Sequence, residues 1–253
     1  MDVLTDRDGP YTTITMNRPQ RRNALSLGLL TALQQAFTEV AETDALGVIL
    51  AGAGPVFSAG HDFADLVDAD LADARRLLDV CAELMRTIQA IPQVVVARVH
   101  GLATAAGCQL VASCDLAVAA ESAGFAAPGG KGGWFCHTPM VAIARNVGRK
   151  RAMELALTGD VIDAQTAYEW GLVNRVVPDD QLEKATLELL ERATRGSARS
   201  KALGKRALYA QLDRPERDAY TYAVEVMAAA SQTPEAREGM AAFLEKRPPD
   251  WPA

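Results

Sequence analysis

Short, largely apolar runs alternate with helical periodicity through the first half of the chain. Two such runs cover residues 47–51 and 94–99, and a helix-periodic segment spanning about residues 72–91 separates them. Runs of this kind are typical of strands buried on both faces, and strands joined through a helix pair in parallel by right-handed crossovers. The alternation therefore predicts an α/β fold built on a mainly parallel sheet.

Turn and capping signals predict further elements around these strands. Asp8-Gly9 lies between two strand-like runs and favours a β-hairpin. Ser26 is a plausible N-cap for a helix that continues to residue 42. A short helix is predicted to begin near Ala106, and a strand is predicted at residues 116–119.

Helical periodicity dominates beyond Pro139, where residues 173–178 form one strand-like interruption. We predict an α/β core over residues 1–195 and a helical C-terminal region over residues 196–253. The predicted helices of this half cover residues 139–147, 149–158, 163–170, 180–195, 197–212, 215–231 and 233–246.

Composition excludes several classes of function. The 253 residues carry a formal net charge of −6, which argues against nucleic acid or an anionic membrane as a partner. No apolar run approaches the roughly 20 residues of a membrane helix, and residues 1–8 lack the form of a secretory signal. Four cysteines without CxxC spacing and three histidines predict free thiols, no metal site and a cytoplasmic location.

Two small-residue turns carry the main functional signal. Residues 58–62 read Ser-Ala-Gly-His-Asp, residues 103–109 read Ala-Thr-Ala-Ala-Gly-Cys-Gln, and each turn follows a run rich in β-branched residues. Two such turns can bring two backbone N–H groups together around one oxygen. That geometry stabilises a developing oxyanion.

Nine short motifs, spread in order over nearly the whole chain, resemble those of the crotonase superfamily, the enoyl-CoA hydratase/isomerase family. The run 101–110 is similar to a branch that includes mitochondrial hydratase-domain-containing proteins of vertebrates. The motifs are Asn17-Arg18-Pro19 with Asn23-Ala24-Leu25, Phe57-Ser58-Ala59-Gly60-His61-Asp62, His100-Gly101 with Gly107-Cys108, Ser113-Cys114-Asp115, Leu157-Thr158-Gly159, Ala164-Gln165 with Ala167, Trp170-Gly171-Leu172-Val173, Val177-Pro178, and Phe243-Leu244-Glu245-Lys246-Arg247.

This resemblance implies a particular fold, assembly and substrate. The expected fold is a crotonase-like spiral of ββα units that forms two roughly perpendicular sheets, followed by a helical region that supports trimerisation. Homotrimers, or hexamers made of two trimers, are expected. The implied ligand is an acyl-CoA thioester of fatty acid metabolism, with coenzyme A as part of the substrate and no separate cofactor.

The resemblance also implies roles for individual residues. The two oxyanion donors are the backbone N–H groups of His61 and Ala106, and Ala106 lies near a helix start, where the dipole favours an anion. Coenzyme A is expected at Arg21, Arg22, Ala24 and Ala59, with Lys246 reaching it from a neighbouring subunit. The lysine that often follows the first turn is Ala64 here.

The acid–base positions of the family are changed in this chain. The two hydratase glutamates correspond to Gln109 and Gly129. A glutamine side chain orients water but cannot act as a base near pH 7, and glycine has no side chain. Efficient hydration is therefore not expected.

The glycine-rich loop 129–139 offers alternatives. Cys136 and His137 join Gln109 as candidate catalytic side chains, and the imidazole of His61 is a further candidate. Cys136 is alternatively an apolar-wall thiol. Trp134 and Phe135 are expected to line an acyl pocket. We interpret the chain as an enzyme of the lyase or isomerase class. Isomerisation, decarboxylation and thioester hydrolysis stay open, as does a non-catalytic acyl-CoA-binding or scaffold protein.

Overall fold

A six-stranded sheet forms the centre of the computed structural model, which describes residues 1–251. Residues 252 and 253, the last two of the predicted C-terminal region, lie outside the described residues. The strands are β1 (Val3–Asp8), β2 (Tyr11–Met16), β3 (Gly47–Gly52), β4 (Val56–Ser58), β5 (Val94–Val99), β6 (Leu102–Thr104), β7 (Leu116–Ala120), β8 (Gly124–Ala126), β9 (Ile162–Asp163) and β10 (Arg175–Val177).

The helices agree with the predicted ones to within two residues at each end, except that no end was predicted for α3. They are α1 (Leu27–Ala41), α2 (Leu71–Ala90), α3 (Ala106–Ser113), α4 (His137–Val147), α5 (Arg149–Thr158), α6 (Ala164–Trp170), α7 (Leu182–Thr194), α8 (Ala198–Gln211), α9 (Glu216–Ala230) and α10 (Pro234–Glu245). Ser26 caps α1 as predicted, since its hydroxyl accepts a hydrogen bond from the N–H of Leu29.

The larger sheet has the order β1-β2-β3-β5-β7-β10. The β1–β2 hairpin is antiparallel and every other pair in this sheet is parallel. Its central strands are buried on both faces because α7 covers the side opposite α1 and α2. Ile49, Val96 and Val118 pack there against Leu190. The predicted α/β class with a mainly parallel sheet is confirmed.

A smaller sheet with the order β4-β6-β8-β9 was not predicted from the residue pattern. Its strands have two or three residues each, too few for strand periodicity to be recognised. Each of β4, β6 and β8 follows a strand of the larger sheet and precedes a helix. These successive ββα units confirm the spiral fold, and they place the two small-residue turns at the ends of β4 and β6.

A buried polar network joins α8 to the larger sheet. The ammonium group of Lys205 lies 2.7 Å from a carboxylate oxygen of Asp115 and donates to the carbonyls of Ile88 and Gln93. The hydroxyl of Tyr209 donates to the other oxygen of Asp115 at 2.9 Å. The network therefore fixes the start of the C-terminal region to the ends of three core elements.

The C-terminal helices leave much apolar surface exposed. No residue of α8 or α9 is buried, and α10 buries only Glu235 and Ala242. None of the helices within residues 1–251 is both long and apolar enough to cross a membrane. The exposed apolar side chains of this region are Leu208, Leu212, Tyr220, Val224, Met227, Met240, Phe243, Leu244 and Trp251.

Candidate functional site

The two small-residue turns lie against each other. Gly60 has a positive φ of 83°, and a Cβ atom there would lie 2.9 Å from the Cβ of Ala105 and 3.2 Å from the backbone nitrogen of Ala106. A Cβ atom on Gly107 would overlap the carbonyl oxygen of Ser58. Glycine at both positions thus lets the two backbones approach to van der Waals distance.

Each turn presents an unpaired backbone N–H group. Ala106 is the first residue of α3, so its N–H has no intrahelical acceptor. On the other turn, the carbonyl of Gly60 and the N–H of Asp62 both bond to Leu25, which leaves the N–H of His61 between them unpaired. Among the hydrogen bonds of residues 1–251, neither His61 N–H nor Ala106 N–H has an acceptor.

Backbone strain at Ala105 sets the direction of the second turn. This residue adopts φ 51° and ψ −118°, a conformation that side-chain-bearing residues rarely occupy. Strain of this kind persists only where surrounding structure enforces it, and it clusters at functional sites. The hydrogen bond from Ala105 N–H to the carbonyl of Ala126 holds the turn at 2.9 Å.

Asn23 anchors the first turn and was not predicted to do so. Its buried side-chain amide donates to the carbonyls of Ala53, Val56 and Phe57 at 2.8–3.1 Å. Its own carbonyl accepts from the hydroxyl of Ser58 at 2.9 Å. The sequence signal was its place in the Asn-Ala-Leu motif, whereas its partners lie 30 to 35 residues away in the chain.

The predicted coenzyme A residues near the N-terminus come together. The N–H of Ala59 donates to the carbonyl of Arg22 at 3.0 Å, which joins the Arg21–Ala24 segment to the first turn. Arg22 is exposed and, within the described chain, forms no ion pair. Lys246 does not join them within one chain, because it is an exposed residue at the end of α10.

Arg21 is paired with a carboxylate of the first turn. Its guanidinium lies 2.9 Å from Asp62, and that of Arg18 lies 3.5 Å from the same carboxylate. Burial raises the pKa of Asp62, but hydrogen bonds from Arg21 and the N–H of Ala64, together with the charges of Arg21 and Arg18, outweigh it and hold the pKa below its ordinary value. Asp62 therefore stays ionised and positions Arg21, whose side chain is half exposed.

An apolar cavity of about 470 Å³ opens beside the two turns. Trp134 is part of its lining, and the centroid of its ring lies 6.0 Å from that of His61 and 6.2 Å from that of Phe63. A larger cavity of about 1350 Å³ lies among α8, α9 and α10 and shares no lining residue with it. The smaller cavity is lined by Ala59, His61, Phe63, Leu78, Thr104, Ala105, Pro128, Gly129, Lys131, Gly132, Trp134, Phe135, Cys136, His137, Thr138 and Pro139.

The two positions predicted to replace the hydratase glutamates differ in their surroundings. Gln109 is buried in α3 and is not among the residues that line the cavity. Gly129 lines the cavity, but a Cβ atom there would overlap the carbonyl oxygen of Trp134 and lie 2.8 Å from the sulfur of Cys136. The path of this loop therefore leaves no room for a carboxylate side chain at residue 129.

Cys136 and His137 both line the cavity, but they differ in burial. Cys136 is buried at the start of α4, and burial raises the pKa of its thiol. The pKa of the nearby Cys108 thiol is raised by burial to about 12. Cys136 is thus a protonated thiol, which argues against a nucleophilic role. His137 is exposed, and its ring packs 5.1 Å from that of Phe135.

The side chain of His61 also lines the cavity. Both of its ring nitrogens are buried and have no hydrogen-bond partner within the described chain. Burial lowers the pKa of this imidazole below its ordinary value and outweighs the opposite effect of the Leu25 backbone, so the ring is neutral near pH 7. The hydroxyl of Thr104 also lines the cavity and is buried without a partner.

A family model described as enoyl-CoA hydratase/isomerase matches residues 9–253. The chain is 44% identical over 251 residues to the mitochondrial enoyl-CoA hydratase domain-containing protein 3 of Danio rerio, covering 98% of this chain and 87% of that protein. The protein of the same description from Mus musculus is 45% identical over 240 residues, covering 94% and 80%.

Solved structures show the same relationship. An enoyl-CoA hydratase of Mycobacterium smegmatis superposes with a TM-score of 0.96 at 44% identity, covering 99% of both chains. The human enoyl Coenzyme A hydratase domain-containing protein 3 gives a TM-score of 0.95 at 38% identity, covering 99% of this chain and 100% of that one.

The relatives contradict the predicted cytoplasmic location, because the similar vertebrate proteins are described as mitochondrial. That prediction was wrong since free thiols indicate a reducing environment and do not distinguish one reducing compartment from another. The resemblance to the vertebrate branch, in contrast, is confirmed. Sequence, family model and fold agree, and the chain belongs to the enoyl-CoA hydratase/isomerase family.

Proposed function

We propose that this chain is an enzyme that binds an acyl-CoA thioester and stabilises its enolate. The thioester oxygen lies between the backbone N–H groups of His61 and Ala106, and the acyl group enters the apolar cavity. One observation carries this proposal: the contact between Gly60 and the Ala105-Ala106 backbone leaves two unpaired donors beside that cavity.

The nucleotide end of coenzyme A binds at the loop joined to Ala59. Arg22 is exposed, and Arg21 is held in place by Asp62 while half of its surface stays open. Guanidinium groups pair well with phosphate oxygens. Ala24 and Ala59 supply backbone beside them, and Lys246 approaches from a second copy of the chain. Coenzyme A enters with the substrate, and no separate cofactor is proposed.

We also propose that the chain hydrates the double bond of an enoyl-CoA only slowly. Gln109 cannot accept a proton near pH 7, and the space at Gly129 is filled by the loop itself. General acid–base groups contribute about 10²–10⁴ each in rate, so their loss removes most of the hydratase activity. A non-catalytic acyl-CoA-binding protein is the second candidate, and the crowding at Gly129 is the observation in its favour.

We further propose that three or six chains associate. The exposed apolar side chains on α8, α9 and α10 exceed what a monomer leaves in water, and burial between subunits would remove them. Light scattering should give three or six times the chain mass of 27.0 kDa. A monomer at micromolar concentration would contradict this assembly.

Calorimetry tests the binding step. Crotonyl-CoA and a long-chain acyl-CoA should bind with micromolar affinity, the range usual for KM. Free coenzyme A should bind more weakly because it leaves the cavity and the two N–H groups unused. Absence of heat and of any thermal shift with every thioester at millimolar concentration would overturn the proposal.

A further inference from the structure

Arg18 is a largely buried cation beside the first small-residue turn. Its side chain is only 15% exposed, and its guanidinium lies 3.5 Å from the carboxylate of Asp62. The same group donates to the carbonyl of Ala24 at 3.1 Å and to the hydroxyl of Ser26 at 2.7 Å. Its Nε lies 3.5 Å from the more exposed Asp2. Because a buried charge is costly unless acceptors surround it, these contacts are needed to keep the guanidinium in this place.

Three of these acceptors flank one backbone pairing, in which Leu25 and His61 are the partners. Two acceptors belong to the residues before and after Leu25, and the third belongs to the residue after His61. The N–H of Leu25 donates to the carbonyl of Gly60 at 2.7 Å, and the carbonyl of Leu25 accepts from the N–H of Asp62 at 3.2 Å. One guanidinium therefore contacts both sides of the pairing that presents the N–H of His61.

The segment that follows Arg18 has a strained backbone. Arg22 and Asn23 have φ values of 52° and 49°, in the left-handed region that residues with side chains rarely adopt. The carbonyl of Arg18 accepts from the N–H groups of Arg21 and Asn23 at 2.9 and 3.0 Å, and the N–H of Arg18 donates to the side chain of Asn23 at 2.9 Å. Strain persists only where neighbouring groups enforce it, so the main chain of Arg18 supports this segment as its side chain supports the turn.

The two arginines that contact Asp62 differ in their access to a ligand. Arg21 is half exposed and is the arginine proposed to bind a phosphate of coenzyme A. Arg18 is mostly buried, and its remaining N–H groups already have acceptors. A phosphate that competes with the carboxylate for Arg21 therefore leaves Asp62 paired with Arg18, and the first turn keeps its position.

We propose that Arg18 is a positioning residue of the oxyanion site: by contacting both sides of the Leu25–His61 pairing, it holds the N–H of His61 where the thioester oxygen binds. This inference rests on the proposed thioester binding. Arg18 does not touch the thioester and acts through Asp62 and the segment around Leu25. A guanidinium spreads its donors over three nitrogens and reaches both sides at once, whereas lysine carries all its donors on one atom.

The thioester oxygen provides a measurement that a general effect on stability would not change. Hexanoyl-CoA and its thioether analogue S-hexyl-CoA share the nucleotide and the six-carbon chain, but only the thioester has an oxygen for the two N–H groups. Calorimetry gives the ratio of the two dissociation constants. Two hydrogen bonds should make the wild-type protein bind the thioester about 10-fold tighter, or more, than the thioether.

Arg18→Gln should reduce this preference about 5-fold, since one of the two hydrogen bonds is weakened, while S-hexyl-CoA binds as it does to the wild-type protein. Arg18→Lys keeps a cation near Asp62 and should reduce the preference less, and it serves as the test if the glutamine variant does not fold. Arg7→Gln is the matched control, because the ion pair of Arg7 with Asp44 involves no residue that lines the cavity. Circular dichroism verifies that each variant is folded.

An unchanged preference in the folded Arg18 variants would overturn the positioning role. Equal weakening of both ligands would overturn it as well, because the effect would then be on the fold and not on the oxyanion donor. A wild-type protein that binds both ligands equally, or binds neither, would instead reject the proposed function.

Discussion

The N–H of Trp134 donates a 2.9 Å hydrogen bond to the carbonyl of Gly129, and this bond folds the loop onto itself. The carbonyl oxygen of Trp134 then occupies the space that a side chain on residue 129 would need. The glycine is therefore required by the loop path. A hydratase glutamate at this position is incompatible with the loop in its present form.

Gly129→Glu should therefore destabilise the protein without restoring hydration. The backbone overlap forces the loop to move, and overpacking of this kind costs about 1–3 kcal/mol or more. Gln109→Glu alone should fold but hydrate crotonyl-CoA poorly, because Gln109 lies outside the cavity lining. Thermal unfolding and a crotonyl-CoA hydration assay check both variants. Recovery of typical hydratase rates in either one would contradict this reading of the loop.

Ala106→Pro should remove one oxyanion donor while leaving the helix intact. Ala106 is the first residue of α3, where proline is tolerated because its missing N–H has no helical acceptor. We expect turnover of any acyl-CoA substrate to fall about 10²–10³-fold, as for other oxyanion donors. Steady-state kinetics give the measurement, and circular dichroism verifies the fold. Ala106→Ser retains the N–H and should keep most of the activity.

The ion pair between Lys205 and Asp115 should contribute strongly to stability. Both side chains are largely buried, so Lys205→Met leaves an unpaired carboxylate. We expect the free energy of unfolding to fall by about 3–5 kcal/mol. The matched control is Lys150→Met on the exposed face of α5, which should change it by less than about 0.5 kcal/mol. Urea unfolding of both variants compares them, and equal midpoints would contradict the prediction.

His61 should make stability depend on pH. Burial lowers the pKa of this imidazole below its ordinary value of 6.5, so the unfolded chain binds the proton more readily. The contribution of the neutral His61 ring to the free energy of unfolding is fully present above the unfolded pKa, and it is lost as pH falls below about 6.5. Lys131 and His137 line the same cavity, and the neighbouring Asp62 stays ionised beside Arg21.

The His61→Gln variant should accordingly lose less stability than the wild-type protein between pH 7 and pH 5. Urea unfolding at several pH values measures this difference, and His137→Gln serves as the comparison because it keeps the buried ring. Parallel stability profiles for wild type and His61→Gln would show that the His61 ring is not held neutral by burial.

Local patterns along the chain determined most of the architecture. Ser26 caps α1, and the apolar runs of β3, β5 and β7 form the centre of the sheet. Both features could be predicted because a cap and an apolar run each involve only a few neighbouring residues. The two turns and their glycines could also be predicted from the sequence. Strands of two or three residues could not, since their pairing depends on partners far away in the chain.

Only the tertiary structure determines the protonation of the site residues and the space around them. The ring nitrogens of His61 are buried, and its neighbours in space, Leu25 and Trp134, lie 36 and 73 positions away from it in the chain. The exclusion of a side chain at Gly129 depends on how the loop folds back at Trp134. The sequence therefore identified the candidate site residues. Their protonation and the room around them depend on distant packing, which determines the local dielectric and the space left in the cavity.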